Sequence, residues 1–128
     1  MATTYRFRIA LAQTDCLVGD ISGNTDRILR LATEARDRLG AALVVFPELA
    51  LIGYPPEDLL LRPSLEGRIS VALARLGEVS GITIVLGYPG HRDGHFYNLA
   101  GVWRDGQLLG EYAKQQLPNY DVFASLPW

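Results

Sequence analysis

The sequence contains a single cysteine, Cys16, in 128 residues, so no internal disulfide can form and the fold rests on its apolar core. A lone thiol agrees with a reducing compartment. Basic side chains are not in excess, because 12 Lys and Arg stand against 14 Asp and Glu for a net charge of −2, and no local run of Lys or Arg offsets that balance. The electrostatic footprint of a nucleic-acid binder is missing. Long apolar runs are missing as well: no segment approaches the ~20 residues of a membrane helix. The opening MATTYRFRIALAQ has two arginines but neither a long apolar stretch nor a small-residue cleavage site. A cytoplasmic protein that engages neither nucleic acid nor membrane is expected. Repeats, low-complexity tracts and linkers are also lacking, and LVGDISG and GYPG match neither the dinucleotide fingerprint nor the phosphate-binding loop. The two histidines, His91 and His95, flank one turn with no cysteine or acid cluster beside them. They read as solvated turn residues, and no metal is expected.

What is present has globular proportions, with 48% hydrophobic and 20% charged residues, so one folding unit is predicted. Tyr5, Phe7, Ile9 and Leu11 alternate with Arg6, Arg8, Ala10 and Ala12, which is strand periodicity, and the alanines suggest that the second face is covered too. Asn24 reads as a helix N-cap, with Ile28, Leu31, Ala32, Ala35 and Leu39 at helical spacing before Gly40 stops the run. Ala42 to Phe46 is a short apolar run bounded by Gly40 and Pro47, too brief for a helix. It reads as a strand buried on both faces. Pro63 suits a first helical position, and Leu65, Ile69, Ala72, Leu73, Leu76 and Val79 mark a second helix ending near Gly81. ITIVLGY follows as a strand, and the turn signals HRDG and RDGQ bracket HFYNLAGVW ahead of LLGEYAK. The predicted order is βαβαβ followed by a ββ meander: an α/β fold with a mixed sheet and helices on one face at least. Strands such as LVVF and ITIVL imply a sheet face or edge meant for more chain. Self-association or marginal stability of the chain is therefore expected.

Glu48 lies just past the apolar strand, in FPEL, where ligands of open α/β sheets collect. A surface carboxylate at a strand end is the ordinary alternative. Its neighbours Phe46, Leu49, Leu51 and Ile52 are expected to strip water from the carboxylate and make it an effective general base. Lys114 ends the last strand in GEYAKQQLPNYDVF, and by itself reads as an exposed lysine, as most lysines are. Tyr120, after Pro118 and Asn119, could pack against the fold as readily as touch a ligand. Cys16 follows the first strand in TDCLVGD with no histidine near it, and reads as a small buried residue more than as a nucleophile.

Taken together and in order, RIALAQ, GDISGN, LVVFPELALIGYPPEDLLLRP and YAKQQLPNYDVF resemble the nitrilase, or carbon-nitrogen hydrolase, superfamily. GYPPEDLLLRP and LPNYDVF look specifically like the amino-terminal glutaminase domain of glutamine-dependent NAD synthetases. The resemblance implies an αββα sandwich, here in part, and a Glu, Lys, Cys triad whose first two members fall on Glu48 and Lys114. By the same resemblance Glu48 is the general base, Lys114 stabilises the oxyanion, and Tyr120 belongs to the glutamine pocket. It implies glutamine as substrate and a homo-oligomer in the full-length family. It also implies ATP and magnesium for a separate synthetase domain, with no cofactor in this chain. Two departures accompany it. The family's nucleophilic cysteine belongs to a later strand that residues 1–128 do not reach, and residues 124–128 leave the family pattern. The expectation is the amino-terminal portion of a glutaminase domain, inactive alone. A free-standing amidase, or a non-catalytic remnant serving as an interaction module, are its rivals.

Overall fold

The computed structural model describes residues 6–53 and 64–117. Strands β1 (Ile9–Leu11), β2 (Leu43–Val45), β3 (Thr83–Arg92), β4 (His95–Arg104) and β5 (Gln107–Leu117) form one sheet in that order. Helix α1 (Ile21–Asp37) joins β1 to β2, and α2 (Leu65–Ala74), extended by a 3₁₀ turn over Arg75–Glu78, precedes β3. The first three strands are parallel and the last two antiparallel, the mixed α/β sheet that the periodicity predicts. Tyr5, Pro63, Tyr120 and residues 124–128 lie outside the described residues.

Both hairpins turn on an Asp-Gly pair. Asp93 and Gly94 have φ of 54° and 79°, and Asp105 and Gly106 have 51° and 80°. Two consecutive left-handed residues match the right-handed twist of the strands they join. Helix α1 begins earlier than its sequence suggests. Asp20, not Asn24, is the N-cap, accepting from the Gly23 N–H at 3.0 Å, because Asn24 is taken up elsewhere. Its buried amide donates to the Leu17 and Leu51 carbonyls at 2.8 and 3.1 Å and accepts from the Leu17 N–H at 3.0 Å. It thus ties the segment after β1 to the segment after β2. Gly53, at φ 78°, completes this junction, since a Cβ there would sit 2.8 Å from the Val18 Cα.

The helices cover one face of the sheet only. In register across it stand Ala10, Val44 and Ile84, continued along β3 by Leu86 and Tyr88. These pack in one cluster with Ile28, Leu29, Ala32 and Ala35 of α1 and Leu65, Ile69 and Ala72 of α2. The small Ala10 and Ala12 therefore face the helices, and the larger Phe7, Ile9 and Leu11 remain exposed. Among the described residues the second face is open, contrary to the double coverage that the alanines suggest. Leu11, Val45 and Val85 line up on it, with Val102 and then Ala100 and Tyr112 continuing the row through β4 and β5.

Candidate functional site

The carboxyl end of β2 meets that open face. Backbone pairing continues one residue past β2, with the Phe46 N–H donating to the Val85 carbonyl at 3.0 Å, and Pro47 then starts a tight turn. The Ala50 N–H reaches the Pro47 carbonyl at 3.1 Å, and the Gly53 N–H reaches that of Leu49 at 2.9 Å. Leu49 adopts a left-handed φ of 56°, a strained conformation for a branched residue, sustained because its side chain is locked in the core. The turn presses on β3 at Gly87, where a Cβ would approach the Leu49 nitrogen to 2.8 Å and the Glu48 Cα to 3.3 Å. Only glycine lets the Glu48 backbone come so close.

Lys114 arrives from the far edge of the sheet, and it does not end the last strand as the sequence suggests, because β5 runs on to Leu117. Leu99 pairs with Ala113 and Asn98 with Gln115, so Lys114 is the extra residue of a β-bulge. A bulge redirects a side chain out of the regular alternation. The Lys114 Nζ donates to the Glu48 Oε2 at 3.0 Å, joining residues that are 66 apart in sequence. The other carboxylate oxygen, Oε1, accepts from the Asn98 Nδ2, and Asn98 is 2% exposed. The three line a hollow of about 310 Å³ on the open face with Val45, Val85 and Tyr112.

The expected desolvation of Glu48 is corrected by this geometry. Phe46, Leu49, Leu51 and Ile52 are all buried in the core, and the Glu48 side chain itself is 39% exposed. The apolar neighbours anchor the turn rather than wrap the carboxylate. Its environment is set by one cation and one amide, each donating a hydrogen bond to one carboxylate oxygen. An exposed pair of this kind adds little to stability.

Cys16 lines a second hollow of about 260 Å³ with Asp15, Glu48 and Leu49. Its thiol donates to the Thr14 carbonyl at 3.9 Å, and burial pushes its pKa up. A raised pKa keeps sulfur protonated, which suits a packed residue and not a nucleophile. His91 contacts Glu66 and stacks on Phe96 with centroids 3.6 Å apart. Among the described residues no group of three His, Cys, Asp or Glu could hold a metal, and no helix is long and apolar enough to cross a membrane. A larger hollow of about 580 Å³ lies between α1 and α2, away from Glu48. Its arginines are engaged: Arg68 with the Gly19 carbonyl, Arg75 with Asp26 and Glu78. Tyr120 lies outside the described residues. Sequence reasoning missed Asn98 and Gly87. The first carried a faint signal, a lone amide inside the apolar strand HFYNLAGVW.

Comparison with known proteins gives this site a context. The chain is 48% identical over 122 residues to the glutamine-dependent NAD(+) synthetase of Xanthomonas campestris pv. campestris (strain 8004), covering 94% of this chain and 22% of that protein. It is 50% identical over 117 residues to the same enzyme of Xylella fastidiosa (strain Temecula1), covering 91% and 22%. The chain thus spans about 22% of the length of these curated relatives. Among solved structures, glutamine-dependent NAD+ synthetase from Acinetobacter baumannii in complex with ADP superposes with a TM-score of 0.81 at 46% identity, covering 89% of this chain and 22% of that one. An amidase from Nesterenkonia sp. superposes with a TM-score of 0.76 at 31% identity, covering 92% and 46%. The sequence pattern described as carbon-nitrogen hydrolase matches residues 8–126, nearly the whole chain, and the chain therefore belongs to the carbon-nitrogen hydrolase family.

Proposed function

We propose that this chain supplies the general base and the oxyanion cation of a glutamine amidohydrolase whose nucleophilic thiol comes from outside these 128 residues. One observation carries the reading: the Lys114 Nζ lies 3.0 Å from the Glu48 Oε2, on an apolar open face with room for more protein. Glu48 takes the proton of the incoming thiol, and the sulfur forms a bond to the side-chain amide carbon of glutamine. The carbonyl oxygen becomes an oxyanion, which Lys114 stabilises. On collapse the C–N bond breaks, and Glu48 returns its proton to nitrogen, releasing ammonia and leaving a thioester. Water, deprotonated by Glu48, then cleaves the thioester to glutamate and restores the thiol. Tyr120 is assigned to the glutamine pocket by its place in LPNYDVF. The ammonia serves a separate ATP- and magnesium-dependent synthetase domain that amidates deamido-NAD, to which no residue of this chain is assigned. The setting is a cytoplasmic homo-oligomer.

The similarity to the Nesterenkonia amidase favours a second reading, a free-standing hydrolase of small amides. The test of both joins this chain to the remaining sequence of the Xanthomonas relative and measures ammonia release. Glutamine is expected to be hydrolysed, with Glu48→Gln and Lys114→Met each lowering the rate by about 10²-fold or more. Faster release from acetamide than from glutamine favours the amidase. Full activity of Glu48→Gln overturns Glu48 as the base in both readings, and no ammonia from the joined parent leaves an interaction module. The 128-residue chain alone is expected to release no ammonia.

A further inference from the structure

We infer that Asn98 is a positioning residue that locks Glu48 through Oε1 and leaves proton exchange to Oε2, the oxygen held by the more mobile Lys114. The two partners of the carboxylate differ in kind. Lys114 is half exposed at 52% on a long flexible stem, so it can turn away to follow developing charge. Asn98 is 2% exposed, sits mid-strand in β4 opposite Pro89 and Gln115, and has short, packed freedom only. Of the two contacts, the neutral one is the rigid one.

The condition of Asn98 points the same way. Its Oδ1 is buried and accepts no hydrogen bond among the described residues, while its Nδ2 donates to Glu48. A buried amide with half its polar capacity unmet destabilises the fold relative to an apolar side chain of similar shape. Nothing in the core needs it, and its hydrogen bond among the described residues goes to the carboxylate. Residues that break a packing rule mark functional positions. The chemistry supplies a reason. A carboxylate that gives and takes a proton during a reaction loses its charge midway, and a cation then loses its hold. An amide donor does not depend on that charge to the same degree, so Glu48 keeps its orientation through the cycle. The titratable groups around Glu48 are Lys114 and Tyr112 from β5 and Asp15 and Cys16 from the segment after β1; none of them reaches Oε1 by a hydrogen bond within the described residues. The catalytic meaning of this role rests on Glu48 being the base proposed above; the positioning itself does not.

NMR on the isotopically labelled 128-residue chain tests it. In the parent chain the three-bond couplings about χ1 and χ2 of Glu48 are expected at single-rotamer values, and in Asn98→Leu at values averaged over rotamers. Unchanged couplings in a folded Asn98→Leu chain overturn the inference, as does averaging in Lys114→Met but not in Asn98→Leu. Should Asn98→Leu fail to fold, a second measurement keeps residue 98 intact. Solvent exchange of the Asn98 side-chain amide protons is expected to accelerate about tenfold in Glu48→Ala. Equal exchange in the two chains overturns it. The ammonia assay reports separately, because its failure removes Glu48 as a base and leaves the rotamer result standing.

Discussion

The two faces of the sheet divide the work of this chain. Under the helices, Val44, Ile84, Leu86 and Tyr88 are sealed in a continuous core, and the side chains there hold shape. On the other face Leu11 is 77% exposed and Tyr112 68%, and the polar groups Glu48, Asn98 and Lys114 gather around a hollow. One face is packed, and the other is open among the described residues. A sheet closed on one side can fold and present reactive groups, but it cannot keep water from them, and a dry enclosure is what makes an oxyanion contact strong. The hydrolysis proposed above therefore requires that face to be covered.

The largest expected effect tests that asymmetry directly. Leu86→Ala, under the helices, is expected to cost about 2–5 kcal/mol, whereas Leu11→Ala on the open face stays within about 0.5 kcal/mol. Urea midpoints compare them, and an equal cost would mean that the open face is already packed. Next in size is the seam between the faces. Gly87→Ala places a Cβ against the Leu49 nitrogen and is expected to destabilise by about 1–3 kcal/mol. Its signature is a displaced Glu48 turn, seen as shifted amide resonances of Phe46 and of residues 48–50 with the two hairpin turns unmoved.

The open face also predicts association. Sedimentation velocity is expected to find the parent chain concentration-dependent, with Leu11→Ser combined with Tyr112→Ser loosening the association by about tenfold. A parent chain that stays monomeric at all concentrations contradicts this. The smallest effect concerns pH and the covered face. Burial, and then the bond to Glu111 at 2.6 Å, push the Tyr88 hydroxyl pKa well above its ordinary range. In the unfolded chain a phenol ionises near ~10. The contribution is thus fully present below that value and is lost as pH rises toward the raised folded one, by at most about 1.4 kcal/mol per pH unit. Urea midpoints taken on either side of that value are expected to fall in the parent chain, with a shallower fall in Tyr88→Phe.

Much of this architecture is legible without coordinates. The period of Ile28, Ala32 and Ala35, the stop at Gly40 and the Asp-Gly turns are local signals, and each element of the sheet follows from them in the predicted order. The start of α1 is less legible. Asn24 has the chemistry of a cap, and only the neighbouring loops show that its amide is already engaged with Leu17 and Leu51. The same limit applies to Glu48. Its apolar neighbours suggest burial, but a side chain's surroundings depend on which way each neighbour turns.

What the sequence by itself determined is the series of strands and helices, the parallel start and antiparallel end, and two charged residues worth weighing, Glu48 just past β2 and Lys114 late in β5. These follow from periodicity and turn chemistry, which act over a few residues. What only the tertiary structure decided is that those two residues meet, that a bulge at Lys114 aims one at the other, that Gly87 makes room, and that Asn98 holds the second oxygen. Each of these depends on the register between strands distant in sequence, and register is a property of the assembled sheet, which no short stretch of chain encodes alone.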